Sequence, residues 1–143
     1  MNWIGAAAAV LGLVAVATAA GLIWRARTGR ARAQSGLEIV TAQDVASETP
    51  FGTSATLLQF STEFCARCPA TRTMLGATAA RHPGIAHVDV DLTHRADLAD
   101  RFHVMQTPTT LILDRHGAVR ARIGGAPRPQ AVREHLDRIL QEA

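Results

Sequence analysis

Two cysteines, Cys65 and Cys68, are the only thiols in this 143-residue chain, and they enclose two residues in the run Cys65-Ala66-Arg67-Cys68. The apolar residues Leu57, Leu58 and Phe60 precede them and a helix-like segment follows, so the pair falls where a strand hands over to a helix. A thiol at that junction has unpaired backbone N–H groups and the positive end of the helix dipole beside it, and both favour the thiolate. A second cysteine three positions on lies one turn away, within reach of a disulfide if the first sits at the cap. Cys65 is the candidate nucleophile and Cys68 the candidate resolving thiol. The same spacing is half of a zinc site. Zinc needs two further ligands, however, and the six histidines (82, 87, 94, 103, 116 and 135) include no close pair at metal-ligand spacing on a helix. No metal and no cofactor are expected. Arg67 between the thiols argues against an inert buried pair.

The elements that must position the pair follow from periodicity. Residues 56–61 are apolar on both faces, as in a central strand covered on both sides. Residues 66–81 read as a helix with Ala70, Met74 and Ala77 along one side, stopped by His82-Pro83-Gly84. Pro69 is tolerated in its first turn, where a missing N–H has no intrahelical partner to lose. Residues 85–91 alternate as a half-buried strand, and 93–102 return to helical spacing through Leu98 and Phe102. Residues 109–114 and 118–123 flank the turn Arg115-His116-Gly117 as a hairpin. Pro127 and Pro129 lead into a closing helix carrying Val132, Leu136, Ile139 and Leu140. Ahead of the cysteines, a first strand is expected over 37–40, and Thr41 with Asp44 resembles the cap of a short helix. The order predicts an α/β fold, a mixed sheet with helices on both faces.

Residues 3–24 carry no charge and run from one tryptophan to another. At roughly 1.5 Å per residue they span the ~30 Å hydrocarbon core of a bilayer, with tryptophans where interfacial aromatics are expected. A cleaved signal peptide is the competitor, with Ala17 and Ala19 as a cleavage site, but no basic side chain precedes the apolar run. Arg25, Arg27, Arg30 and Arg32 follow it directly. The positive-inside tendency then places the C-terminal side in the cytoplasm. Setting those four aside leaves eleven of the fifteen basic residues against twelve acidic ones, so the rest of the chain is near neutral and has no nucleic-acid footprint. The basic cluster reads as an anchor for anionic lipid, and the lipid bilayer as a partner. The expected organisation is a transmembrane helix over 1–24, a basic juxtamembrane linker over 25–36 and one domain over 37–143.

Residues 37–143 resemble thioredoxin. The strand ending in Leu58-Gln59-Phe60 runs into Phe64-Cys65-Ala66-Arg67-Cys68; Thr107-Pro108-Thr109 is similar to the family's cis-proline segment; Asp114-Arg115-His116-Gly117 matches its hairpin; and Gly124 matches the glycine after its last strand. The resemblance implies a thioredoxin-like fold, an exposed attacking Cys65, a buried resolving Cys68, and a cis Pro108 that brings the backbone of Thr107 beside Cys65 to pair with an extended substrate segment. Three positions depart from the family pattern. Gln59 stands where the family has a buried aspartate that helps move the proton of the resolving thiol, and an amide cannot accept that proton. Phe64 replaces a tryptophan, keeping an aromatic wall without its N–H. Ala66-Arg67 replaces Gly-Pro and adds a cation, which favours the thiolate and hence a more oxidising couple.

Together these readings lead to an expected function: a membrane-anchored thiol–disulfide oxidoreductase acting on protein disulfides or dithiols, with Thr107, Pro108, Phe64 and Arg67 lining the substrate site and a separate redox partner regenerating it. Its domain is expected to face the cytoplasm. The alternatives are the same chemistry outside the membrane, in cytochrome maturation or disulfide isomerisation, and a non-enzymatic module that binds metal or docks a partner at Thr107-Pro108.

Overall fold

The computed structural model describes residues 2–142. Helix α1 (Trp3–Arg27) is apolar all round and none of its residues is buried, so its own sequence and not packing accounts for its regularity. Alanine dominates it, and Arg25 and Arg27 in the last turn complement the negative end of its dipole. It stops at Thr28, whose N–H and hydroxyl both donate to the Trp24 carbonyl. Gly29 then turns with φ +74°, and a Cβ there would collide with the Ala126 carbonyl oxygen. Its N–H donates to Gly124 O at 3.0 Å, which ties the helix end to the domain.

The domain is built on strands β1 (Ala31–Ala33), β2 (Ala55–Ser61), β3 (Ile85–Asp91), β4 (Thr109–Asp114) and β5 (Val119–Gly124), in spatial order β1-β5-β4-β2-β3. Only β2 and β3 run parallel; the other pairs are antiparallel. A parallel pair needs a crossover, and α2 (Cys68–Ala80) supplies it. Helices α3 (Ala96–Arg101) and α4 (Pro129–Gln141) complete the fold.

Alternation along the strands divides the core in two. Leu57, Ile85, Ile112 and Ile123 face α2 and α4, meeting Leu75, Val132, Leu136 and Ile139. Leu58, Phe60, Val88, Val90, Leu111 and Leu113 face the opposite side, meeting Leu98 of α3 and Phe102 just after it. Phe60 and Phe102 pack ring against ring at 5.3 Å. All seven residues of β2 are buried, as expected of the central strand. The thioredoxin-like α/β architecture read from the sequence is therefore the fold observed, with helices on both faces.

Two local expectations are corrected. The first strand of the sheet is Ala31–Ala33, inside the segment read as linker, whereas 37–40 contributes only the single bridge Ile39 to Ala118. Leu37 and Ile39 point outward instead of into a core, at 87% and 62% exposure. The Thr41–Asp44 motif does form: the Thr41 N–H and hydroxyl donate to the Asp44 carboxylate, and the Asp44 N–H donates back to the Thr41 hydroxyl. It closes a series of turns rather than a helix, because the chain leaves helical geometry at Ala46, φ +51°.

The packing predicts an asymmetry between two apolar truncations. Phe60→Ala should cost about 3–5 kcal/mol in urea unfolding, with the m-value unchanged. Leu37→Ala should stay within about 0.5 kcal/mol, as expected of a surface position.

Candidate active site

β2 delivers the chain to the site, and α2 begins three residues after Cys65. Between them residues 62–67 form turns: the Cys65 N–H donates to Thr62 O and the Cys68 N–H to Cys65 O, each at 3.2 Å. Cys68 is the first residue of α2 and Pro69 follows within its first turn. The helix thus opens at Cys68 and not at residue 66, leaving Cys65 on the loop in front of its N-terminus. The two sulfurs are joined in a disulfide with the Cα atoms 5.4 Å apart. Cys65 is half-buried and Cys68 is 1% exposed, so the first residue of the pair reaches the surface and the second belongs to the core. Phe64 and Arg67 are exposed on either side of Cys65.

The peptide between Thr107 and Pro108 is cis. It opens β4, next to β2 in the sheet, so the loop before β4 lies beside the loop after β2. Thr62 and Thr107 share a hydroxyl–hydroxyl contact at 3.4 Å across that junction. Pro108 is buried, and its carbonyl accepts from the Gly125 N–H at 2.8 Å. The Thr109 hydroxyl donates to Gln106 O at 2.7 Å and braces the loop from the strand side. The structure therefore gathers Phe64, Cys65, Arg67, Cys68, Thr107 and Pro108 at one end of the sheet. Met105, 92% exposed, lies two residues before Thr107 on the same loop; the sequence reading did not single it out.

Beneath the disulfide lies a polar chain in an otherwise apolar core. Gln59, 0% exposed on β2, donates through Nε2 to Cys68 O at 3.2 Å. Its Oε1 sits 3.1 Å from Nε2 of His87 on β3. An amide oxygen only accepts, so His87 must carry its proton on Nε2. Asp89 is the register partner of Gln59, and Arg72 of α2 holds one of its oxygens at 2.5–2.8 Å while the other is buried without a partner. Burial pushes the His87 pKa down, against the pull of Asp89 and with the help of Arg72. Sequence reasoning placed His87 on a half-buried strand and gave it no role. The signal was present in the alternation, which puts residues 85, 87 and 89 on the face that α2 covers.

Comparison with known proteins places this geometry. The family model described as thioredoxin matches residues 39–138, most of the chain. The chain belongs to the thioredoxin family. A thioredoxin of Fasciola hepatica superposes with a TM-score of 0.52 at 22% identity, over 61% of this chain and 82% of that one. Mitochondrial thioredoxin 3 of Saccharomyces cerevisiae, in its oxidised form, gives 0.52 at 21%, over 60% and 79%. A thioredoxin of Nicotiana alata gives 0.52 at 22%, over 60% and 73%. At these identities the likeness establishes the fold alone. Comparison with curated proteins returns no match. A thioredoxin domain carrying a disulfide-bonded cysteine pair at the strand–helix junction has the chemistry of a thiol–disulfide oxidoreductase, and proteins with disulfides or dithiols are the substrate class that goes with it.

A pH dependence follows from His87. Its folded-state pKa lies below the unfolded value near 6.5, so as pH falls through that value the unfolded chain binds the proton and the folded chain resists it. Stability should therefore fall with acidification below about pH 6.5. His87→Gln should flatten that slope in urea titrations without abolishing it, because burial depresses His135 in the same direction. An unchanged slope would show that the imidazole does not resist protonation.

Proposed function

We propose that this protein is a membrane-anchored thiol–disulfide oxidoreductase in which Cys65 attacks and Cys68 resolves. The observation that carries the reading is the unequal burial of two bonded sulfurs at the head of α2. Only the outer sulfur can be approached by a protein disulfide, and only the inner one stays shielded until it is needed.

In the reducing direction, the Cys65 thiolate attacks one sulfur of a substrate disulfide. One Cys65–substrate bond forms, the substrate S–S bond breaks, and the other substrate sulfur leaves as thiolate and takes up a proton. Cys68, as thiolate, then attacks Cys65 Sγ. The Cys65–Cys68 bond forms, the Cys65–substrate bond breaks, the second substrate sulfur leaves as thiolate and takes up a proton, and two electrons have passed from the protein to the substrate. A dithiol donor must reverse these steps to restore the protein. The oxidising direction is the same sequence read backwards. Arg67 and Phe64 flank the point of attack, and Thr107 offers its backbone beside the cis Pro108, where an extended segment can pair.

Helix α1 supports the anchor: it has 25 residues, no charge before Arg25 and no buried position. An all-round apolar helix left in water exposes Trp3, Ile4, Leu11, Leu13 and Trp24 for no gain, whereas a bilayer covers them. With transmembrane helix 1–24, basic segment 25–36 and domain 37–143, the arginines after the span favour a domain in the cytoplasm. Reporters at the C-terminus that are active only inside or only outside the cell test this; an outside signal would move the same chemistry to an oxidising compartment.

Trapping tests the division of labour. Cys68→Ser should accumulate mixed disulfides with substrate proteins, visible on non-reducing gels and lost with dithiothreitol, while Cys65→Ser should accumulate none. Equal capture by the two variants would reverse or remove the assigned roles.

A further inference from the structure

Where α1 meets the domain, the chain forms an open-sided cavity of about 400 Å³ whose lining includes Trp24, Arg27, Arg30, Arg32, His103 and Arg122. Its eleven lining residues include four arginines and a histidine but no carboxylate. Among the described residues, none of these four arginines forms an ion pair; the carboxylates that do are held by Arg72, Arg95, Arg101 and Arg120. Two of the four are placed against each other by the sheet itself. Arg32 of β1 is the register partner of Arg122 of β5, so like charges stand directly opposite on one face of an antiparallel pair. Such a pair is destabilising unless something neutralises it. The Arg122 guanidinium cannot simply swing away, because it donates to Phe102 O at 2.6 Å.

We propose that this cavity holds the phosphate-bearing headgroup of an anionic phospholipid. The proposal rests on the membrane anchoring argued above and adds a built site to it. A phosphate placed between Arg32 and Arg122 turns the repulsion of the cross-strand pair into two charge-assisted hydrogen bonds. A lipid, and not a soluble anion, is favoured by where the cavity opens. Trp24 forms part of its wall and closes the uncharged run 3–24, at the level where interfacial indoles and headgroup phosphates lie. Acyl chains leaving the cavity would continue along the apolar, unpacked surface of α1, past Ile23 and Leu22. The volume lies in the range of small-ligand sites. Gln106 and Thr109 also line the cavity, so the headgroup sits against the same loop that carries Pro108. Lipid contact would thus fix how the active end of the domain faces the bilayer.

The test uses the full chain in neutral detergent micelles with Trp3→Phe, which leaves Trp24 as the sole indole of the two in the sequence. Dihexanoyl phosphatidylglycerol should change Trp24 fluorescence saturably, and phosphatidylcholine of the same chain length should not. Arg32→Gln with Arg122→Gln should weaken the response about tenfold or more, as expected from losing two charge-assisted contacts. Arg115→Gln, on the distant hairpin turn, should leave it unchanged. If the double variant lacks a cooperative unfolding transition, Arg32→Gln alone, on the exposed edge strand, takes its place. Equal responses to the two lipids, or full affinity in the arginine variants, would overturn the site. Competition by free glycerol phosphate as strong as by the lipid would assign the cavity to a soluble phosphate and overturn the lipid source. Alkaline carbonate extraction of expressing cells separates the underlying reading: a chain released from membranes defeats the anchor, whereas a retained chain with unaltered lipid affinity in the variants defeats only the headgroup site.

Discussion

A central strand buried along its whole length must satisfy every polar group it carries, and in β2 that demand falls hardest on Gln59. Its amide has a donor end and an acceptor end, and leaving either one unmet in the interior costs about 1–3 kcal/mol. The fold meets both at once. The donor end reaches the carbonyl of Cys68 and the acceptor end accepts a hydrogen bond from His87 Nε2–H, so one side chain links the middle of the sheet, its neighbouring strand and the first turn of α2. The position of Cys68 is set from below by this link and from in front by the turn through Cys65. Helix α2 passes close to the imidazole at Gly76, where a Cβ would stand in ordinary van der Waals contact with His87 Nδ1.

The choice of a neutral amide and an imidazole at this depth has an energetic logic. A carboxylate paired with a cation would carry a desolvation penalty of several kcal/mol per ion, recovered only with excellent geometry. Gln59 avoids that penalty, and burial keeps His87 on the neutral side of its titration. The charges that do occur nearby pair with each other: the exposed Arg72 guanidinium holds one oxygen of the largely covered Asp89, whose other oxygen is buried without a partner. The polar group bonded to the Cys68 carbonyl from beneath is therefore a neutral amide. Gln59 can orient the backbone there, but it cannot take a proton from the inner thiol.

Much of the fold was legible because its decisive signals are local. The cysteines, the apolar run before them, the stop at His82-Pro83-Gly84 and the hairpin at Arg115-His116-Gly117 each carry their meaning within a few residues. Strand β1 was not legible: Ala31, Arg32 and Ala33 have no apolar alternation, and they become a strand only because β5 offers an unpaired edge. Leu37 and Ile39 misled in the opposite sense, since apolar residues on an exposed stretch imitate a strand that packing never buries. The same distinction runs through the site. Cys65, Cys68 and Pro108 stand out by type and spacing. His87 acquires its place only once β3 lies beside β2.

The edge that β1 occupies also explains why the basic segment is structured at all. A short run of arginine, alanine and glycine has no core of its own and, left free, would pay its full conformational entropy for nothing. Pairing with β5 gives it three residues of ladder, and Gly29 stitches it to Gly124 and Arg128 at the end of α1. In return the pairing sets Arg32 against Arg122, a charge arrangement the sheet could have avoided by placing an acid at either position. A docked edge strand that removes the freedom of a linker, yet leaves its cations unpaired on one face, restricts how far the domain can move from the end of α1. It thereby limits how far the cysteine loop, three strands along the same sheet at the end of β2, can move relative to the end of α1.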